Sequence, residues 1–94
     1  MEPVFEWDEE KARTNLLKHQ VSFEEAKTVF GDPFLLTFPD PRHSSTEQRY
    51  LNIGTSAGGR VLVVIHTEWG ARIRIISCRK ATGRERRVYE QGND

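Results

Sequence analysis

The 94 residues suffice for one domain with a modest core, and residues 1–94 are read as that single domain. An apolar fraction of 36% contains no run long enough to span a bilayer as a helix, and Met1-Glu2-Pro3-Val4 lacks a basic-then-apolar export signal, so a soluble cytoplasmic protein is expected. The formal charge is zero, with 14 Lys/Arg against 14 Asp/Glu, which excludes a uniformly basic nucleic-acid coat but not a locally basic surface.

In chain order, Val4-Phe5-Glu6-Trp7 reads as a short strand with Phe5 and Trp7 on one face. Asp8 caps a following helix whose first turn carries Glu9 and Glu10, favourable at the positive end of the helix dipole. Ala12, Leu16 and Leu17 give that helix its apolar edge. Ser22 and Glu25 have capping-box spacing, with Val21 and Ala26 placed for a hydrophobic staple. Phe23, Ala26, Lys27 and Phe30 share a side of this second helix, which Gly31 and Pro33 end.

From Phe34 the period becomes that of a strand, running to Phe38. Pro39-Asp40-Pro41 forbids further pairing and opens a polar loop to about Gln48. Strands over Tyr50 to Thr55, Arg60 to Thr67 and Arg72 to Cys78 follow, joined by the turn-forming Ser56-Ala57-Gly58-Gly59 and Glu68-Trp69-Gly70-Ala71. Simple alternation sends Arg72, Arg74, Ile76 and Cys78 to one face of the last strand, and Ile73, Ile75, Ser77 and Arg79 to the other. Thr82 and Glu85 repeat the capping-box spacing and open a closing helix to about Glu90. The order β-α-α-β-β-β-β-α predicts an α+β fold: two N-terminal helices packed on one face of an antiparallel sheet, with a basic C-terminal helix.

Charge is the main chemical signal. Arg72, Arg74, Arg79, Lys80, Arg84, Arg86 and Arg87 hold half of all the Lys and Arg, with only Glu85 opposing them in that stretch, whereas residues 1–40 carry nine acids against four Lys/Arg. Guanidiniums at a strand end and a helix N-terminus form a grip for phosphate. Arg86 and Tyr89, at i and i+3, share a helical face. Taken singly, each of these side chains is explained by solvation, capping or core-edge packing; the group points to phosphate or an acidic partner.

Other constellations are thin. His19, His43, His66 and Cys78 show no metal-ligand spacing, so neither metal nor cofactor is expected. The lone Cys78 can form no internal disulfide, which fits a reducing compartment. No Gly-x-Ser-x-Gly occurs, and the glycines sit in strand-turn-strand settings rather than a phosphate loop. His66 shares a face with Leu62 and Val64, so it reads first as a hydrogen-bonded core histidine. His19 reads as a cation at a helix C-terminus. Trp69, in a tight turn, is expected to be exposed as a contact for a partner or a base.

Phe5-Glu6-Trp7-Asp8-Glu9-Glu10-Lys11-Ala12, Asn15-Leu16-Leu17-Lys18-His19, Val21-Ser22-Phe23-Glu24-Glu25-Ala26 and Val29-Phe30-Gly31-Asp32-Pro33 together resemble the BrnT family of bacterial type II toxins. The tail Ile73-Arg74-Ile75-Ile76-Ser77-Cys78-Arg79-Lys80-Ala81-Thr82, with Glu85-Arg86 and Tyr89, resembles that family's closing signature. The resemblance spans about Val4 to Glu90. It implies a RelE-like fold and a metal-independent endoribonuclease that stops translation. It also implies neutralisation by a cognate BrnA-like ribbon-helix-helix antitoxin, the complex repressing its own operon so that operator DNA is met only through the antitoxin. In RelE-like toxins, Arg and Lys on the sheet and a Tyr near the C-terminus bind and polarise the scissile phosphate. Arg74, Arg79, Lys80 and Tyr89 occupy comparable segments, with His66 as a further catalytic candidate and Arg72, Arg84, Arg86 and Arg87 as RNA-binding ones. No residue stands out as general base; His66, His19 and Tyr89 are the alternatives. A sequence pI near 6.8 is less basic than a ribosome-directed nuclease calls for, and the acidic N-terminal half suits a basic partner surface. The competing reading is a non-catalytic module whose basic terminus grips nucleic acid or an acidic partner.

Overall fold

The computed structural model describes residues 3–40 and 47–92. The polar loop expected after Pro39 falls mostly outside them, as does His43. Five strands and three helices follow the expected order: β1 (Val4–Glu6), α1 (Glu9–His19), α2 (Phe23–Lys27), β2 (Leu36–Pro39), β3 (Arg49–Thr55), β4 (Val61–Trp69), β5 (Arg72–Lys80) and α3 (Gly83–Gln91). A 3₁₀ turn, Thr28–Gly31, prolongs α2.

The sheet order is β1-β5-β4-β3-β2. From β2 to β5 it is an antiparallel meander, but β1 joins β5 in parallel, pairing Val4 with Arg72 and Glu6 with Arg74. The sheet is therefore mixed rather than wholly antiparallel. First and last strand lie a whole domain apart in sequence, so the connection a parallel pair requires is supplied by everything between them. Gly70, at φ +60°, occupies the first of two loop residues between β4 and β5, where a hairpin of this length favours glycine.

Local capping works largely as the sequence dictates. Asp8 accepts the Glu10 and Lys11 N–H groups, and Thr82 and Glu85 form a complete capping box. At α2 only half the box forms: Ser22 Oγ accepts the Glu25 N–H at 3.0 Å. The Glu25 carboxylate turns instead to Arg60 and to Ser56 Oγ, which tie α2 to the β3–β4 turn.

The core lies between the helices and one face of the sheet, where Val21, Phe23, Ala26 and Val29 meet Leu62, Val64, Ile75 and Cys78. Trp7 meets Phe23 edge-on with centroids 6.0 Å apart, and Phe5 meets Phe30 at 5.3 Å. The apolar edge expected for α1 holds at Ala12, which packs against the core, and is corrected at the two leucines. Leu16 and Leu17 are 48% and 76% exposed, whereas Asn15 is buried. The reason is the edge of β5. Since β1 stops at Glu6, the strand beyond Arg74 has no partner on that side. Asn15 supplies one: its Nδ2 donates to Cys78 O (2.9 Å) and Val21 O (3.0 Å), and its Oδ1 accepts the Cys78 N–H (3.1 Å). A single carboxamide thus satisfies both backbone groups of one strand residue, as a neighbouring strand would.

A candidate ribonuclease face on the sheet

The side chains on β5 do not alternate simply. Ile65 of β4 pairs with Ser77 while His66 pairs with Ile75, leaving Ile76 as an extra residue in a β-bulge. The phase of the strand shifts by one across it. Ile75 and Cys78, an odd number of positions apart, are both buried in the core. Arg74 and Arg79 accordingly reach the same face, opposite α1 and α2, where alternation alone had set them on different faces. Arg74 pairs across with Thr67, and Arg79 with Val63.

This open face forms two adjoining depressions. One, a cleft of about 550 Å³, is lined by Arg72, Arg74, Arg49, Lys11, Trp69 and Ile76, with Glu6 and Glu47. The other joins Arg79 to Arg49, Asp40, Leu51, Ile65, Ile76 and Ser77. Arg49 and Ile76 border both. Arg49 and Lys11 line this face and are candidates that the sequence reading did not single out. Each sits at an element start or on a helix where a solvated cation is unremarkable, and only the sheet register discloses their place.

The guanidiniums are held by carboxylates. Glu6, paired with Arg74 in the β1–β5 ladder, receives Arg74 Nη1 at 2.9 Å and Arg72 Nη1 at 3.5 Å. Arg79 makes a bidentate pair with Glu85, at 2.7 and 2.9 Å, while Glu85 also accepts the Thr82 N–H. The Arg79 bonds, with help from the Thr82 N–H and against the effect of burial, bring the Glu85 carboxyl down to about 2. The same hydrogen bonds raise Arg79 above its ordinary value. One carboxylate therefore both caps α3 and aims an arginine, leaving other N–H donors of that fork for a ligand.

The remaining predicted residues lie apart from this cluster. Lys80 pairs with Leu62, a core position, so it points to the helix side while Arg79 points away. His66 is 2% exposed on the helix-covered face, stacked on Tyr50 and edge-on to Phe30. Asn52 Nδ2 donates to Val64 O (3.0 Å) and meets His66 Nδ1 at 2.7 Å, and Thr37 Oγ1 donates to Asn52 Oδ1. That arrangement makes Nδ1 the acceptor and leaves Nε2 to donate to Glu68 Oε1 at 3.0 Å. His66 is thus a hydrogen-bonded core histidine, away from the arginines.

The Tyr89 hydroxyl donates to Asp32 Oδ2 at 2.6 Å and accepts from Thr55 Oγ1 at 3.0 Å. Burial, then the Asp32 bond, raises its pKa. Burial opposes ionisation of Asp32, but bonds from the Thr55 N–H, the Tyr89 hydroxyl and the Phe34 N–H hold its carboxyl below the usual range. Tyr89 and Asp32 thereby fasten α3 to β3. Glu85 and Tyr89, four residues apart, form the inward side of α3, and Arg84, Arg86 and Arg87 are exposed on the rest of it. Among the described residues, no three His, Cys, Asp or Glu side chains gather where they could hold a metal ion. No described helix is long and apolar enough to cross a membrane.

Comparison with known proteins points to one family and one fold. The crystal structure of the Brucella abortus ribonuclease toxin, BrnT, is similar to this one with a TM-score of 0.65 and 27% identity, covering 87% of this chain and 97% of that one. No curated protein matches the chain. The family model described as "Ribonuclease toxin, BrnT, of type II toxin-antitoxin system" matches residues 7–85. With that match spanning α1 to the first turn of α3, the chain belongs to the BrnT family of ribonuclease toxins of type II toxin–antitoxin systems.

Proposed function

We propose that the chain is a metal-independent endoribonuclease whose chemistry takes place on the open face of the sheet, with Arg74 and Arg79 binding the scissile phosphate and Arg49 beside them. The observation that carries this reading is the bulge at Ile76, which brings cations from both ends of β5 to one face. In the reaction, the ribose 2′-oxygen attacks the adjacent phosphorus and gives up its proton to a base. The bond from phosphorus to the 5′-oxygen breaks, and that oxygen takes a proton. Charge builds on the non-bridging oxygens in between, where pre-aimed guanidiniums act most strongly. In this reading Lys80, His66 and Tyr89 act through the scaffold, and Arg72, Arg84, Arg86 and Arg87 attract and hold the RNA backbone.

The partner in this reading is a cognate BrnA-like antitoxin that covers the basic face, blocks translation arrest in the cytoplasm, and links the toxin to operator DNA for repression of their own operon. Incubating purified protein with an RNA and its 2′-deoxy counterpart, with and without chelator, tests the chemistry. Expected are cleavage of the RNA alone, unaffected by chelator, and a cyclic or 3′-phosphate end. Cutting of both substrates, or loss in chelator, sinks the mechanism. Binding without cutting would favour the non-catalytic module.

A further inference from the structure

We propose that Trp69 is a stacking platform for one base of single-stranded RNA, with Arg72 holding the phosphate beside it, on the side of the face away from Arg79. This rests on the ribonuclease reading and names the part of the face that selects where the strand is cut.

Trp69 is 67% exposed, while the other tryptophan, Trp7, packs against Phe23. The hairpin does not require an indole there. Its backbone demand falls on Gly70, and a polar residue at position 69 would avoid leaving a large apolar ring in water. The register puts the ring among cations: Trp69 pairs with Arg72 and Thr67 with Arg74, so these side chains stand on one face. Among the described residues lining this cleft, Lys11, Arg49, Arg72 and Arg74 outnumber Glu6 and Glu47, four to two. An exposed aromatic ring set in cationic surroundings is the composition that takes single-stranded nucleic acid, with the ring on the base and the cations on the backbone.

The cleft shares Arg49 and Ile76 as lining residues with the depression at Arg79. Along β4, Trp69 lies six residues from Val63, the partner of Arg79. At ~3.4 Å per residue that is roughly 20 Å, so the stacked base lies well apart from the phosphate oxygens that Arg79 holds. Since every base offers a π face the platform accepts any base, and stacking strength gives a modest preference for the larger purine ring at a fixed offset from the cut.

Binding of a mixed-sequence 2′-deoxy oligonucleotide, which lacks the attacking hydroxyl, tests this without cleavage. Stacking should quench the Trp69 fluorescence. Trp69→Ala should weaken binding by about five- to a hundred-fold, and Trp69→Phe should restore most of it. In parallel, Trp69→Ala should blur the offset preference in a map of RNA cleavage sites. Circular dichroism on both variants establishes that they are folded. Unchanged oligonucleotide affinity in folded Trp69→Ala overturns the platform, as does a loss confined to antitoxin binding, which would make the patch a protein contact. A wild-type chain that cuts no RNA overturns the ribonuclease reading separately.

Discussion

The two faces of the sheet use polar groups in opposite ways. On the covered face, Asn15, Asn52 and His66 are buried and engaged: Asn15 closes the free edge of β5, and Asn52 fixes the tautomer of His66. On the open face, Arg74 and Arg79 are each held by a carboxylate yet remain partly accessible, with side chains 43% and 39% exposed. The first arrangement spends its donors on the protein and stabilises it. The second fixes the direction of a charge and keeps donors for something else. One strand, β5, serves both, which is why the bulge within it matters.

Breaking the covered face should cost the most. Asn15→Ala strips the partner from the Cys78 N–H and C=O and the Val21 C=O, and unsatisfied buried groups of this kind cost ~1–3 kcal/mol each, less any relaxation. A loss of about 2–4 kcal/mol is expected from urea unfolding. A loss below about 1 kcal/mol would show that water or strand movement replaces the carboxamide.

Arg79→Ala tests the open face. Removing a guanidinium that stabilises the transition state should slow RNA cleavage by roughly ten- to a hundred-fold, since a charged hydrogen bond contributes ~1.5–3 kcal/mol. Stability should fall by less than about 1 kcal/mol, because the pair with Glu85 is partly solvated. Full toxicity in a folded variant would remove Arg79 from the site.

Acid sharpens the comparison further. Glu85 has a folded pKa of about 2, below its ordinary 4.5, so its contribution is complete above about pH 4.5 and fades as the pH falls toward 2. With the partner arginine partly exposed, the difference in unfolding free energy between wild type and Glu85→Gln should be on the order of 1 kcal/mol at neutral pH and shrink below pH ~4.5. A difference constant from pH 7 to 3 would contradict the ion pair. The smallest effect belongs to Leu17→Ser, an exposed position on α1 that touches neither face, where less than about 0.5 kcal/mol is expected by the same urea unfolding.

Much was legible in the sequence because it is local. Asp8, Ser22 and Thr82 cap helices through bonds to residues two or three positions on, and Gly70 answers a turn within one hairpin. Such interactions depend on spacing alone, so the element order and the family resemblance could be read directly. The amphipathic reading of α1 missed Asn15 because an asparagine counts as a surface residue until a strand edge needs its donors, and that edge is left open only where β1 stops at Glu6 beside β5. The arginines were visible as a cluster, but their direction was not. One inserted residue at Ile76 shifts the phase of β5, and period-two alternation then turns every later side chain over. The sequence thus determined which cations are available; the pairing of β4 with β5 decided that Arg74 and Arg79 share a face with Arg49 while Lys80 and His66 do not, because strand register is settled between chain segments and not within them.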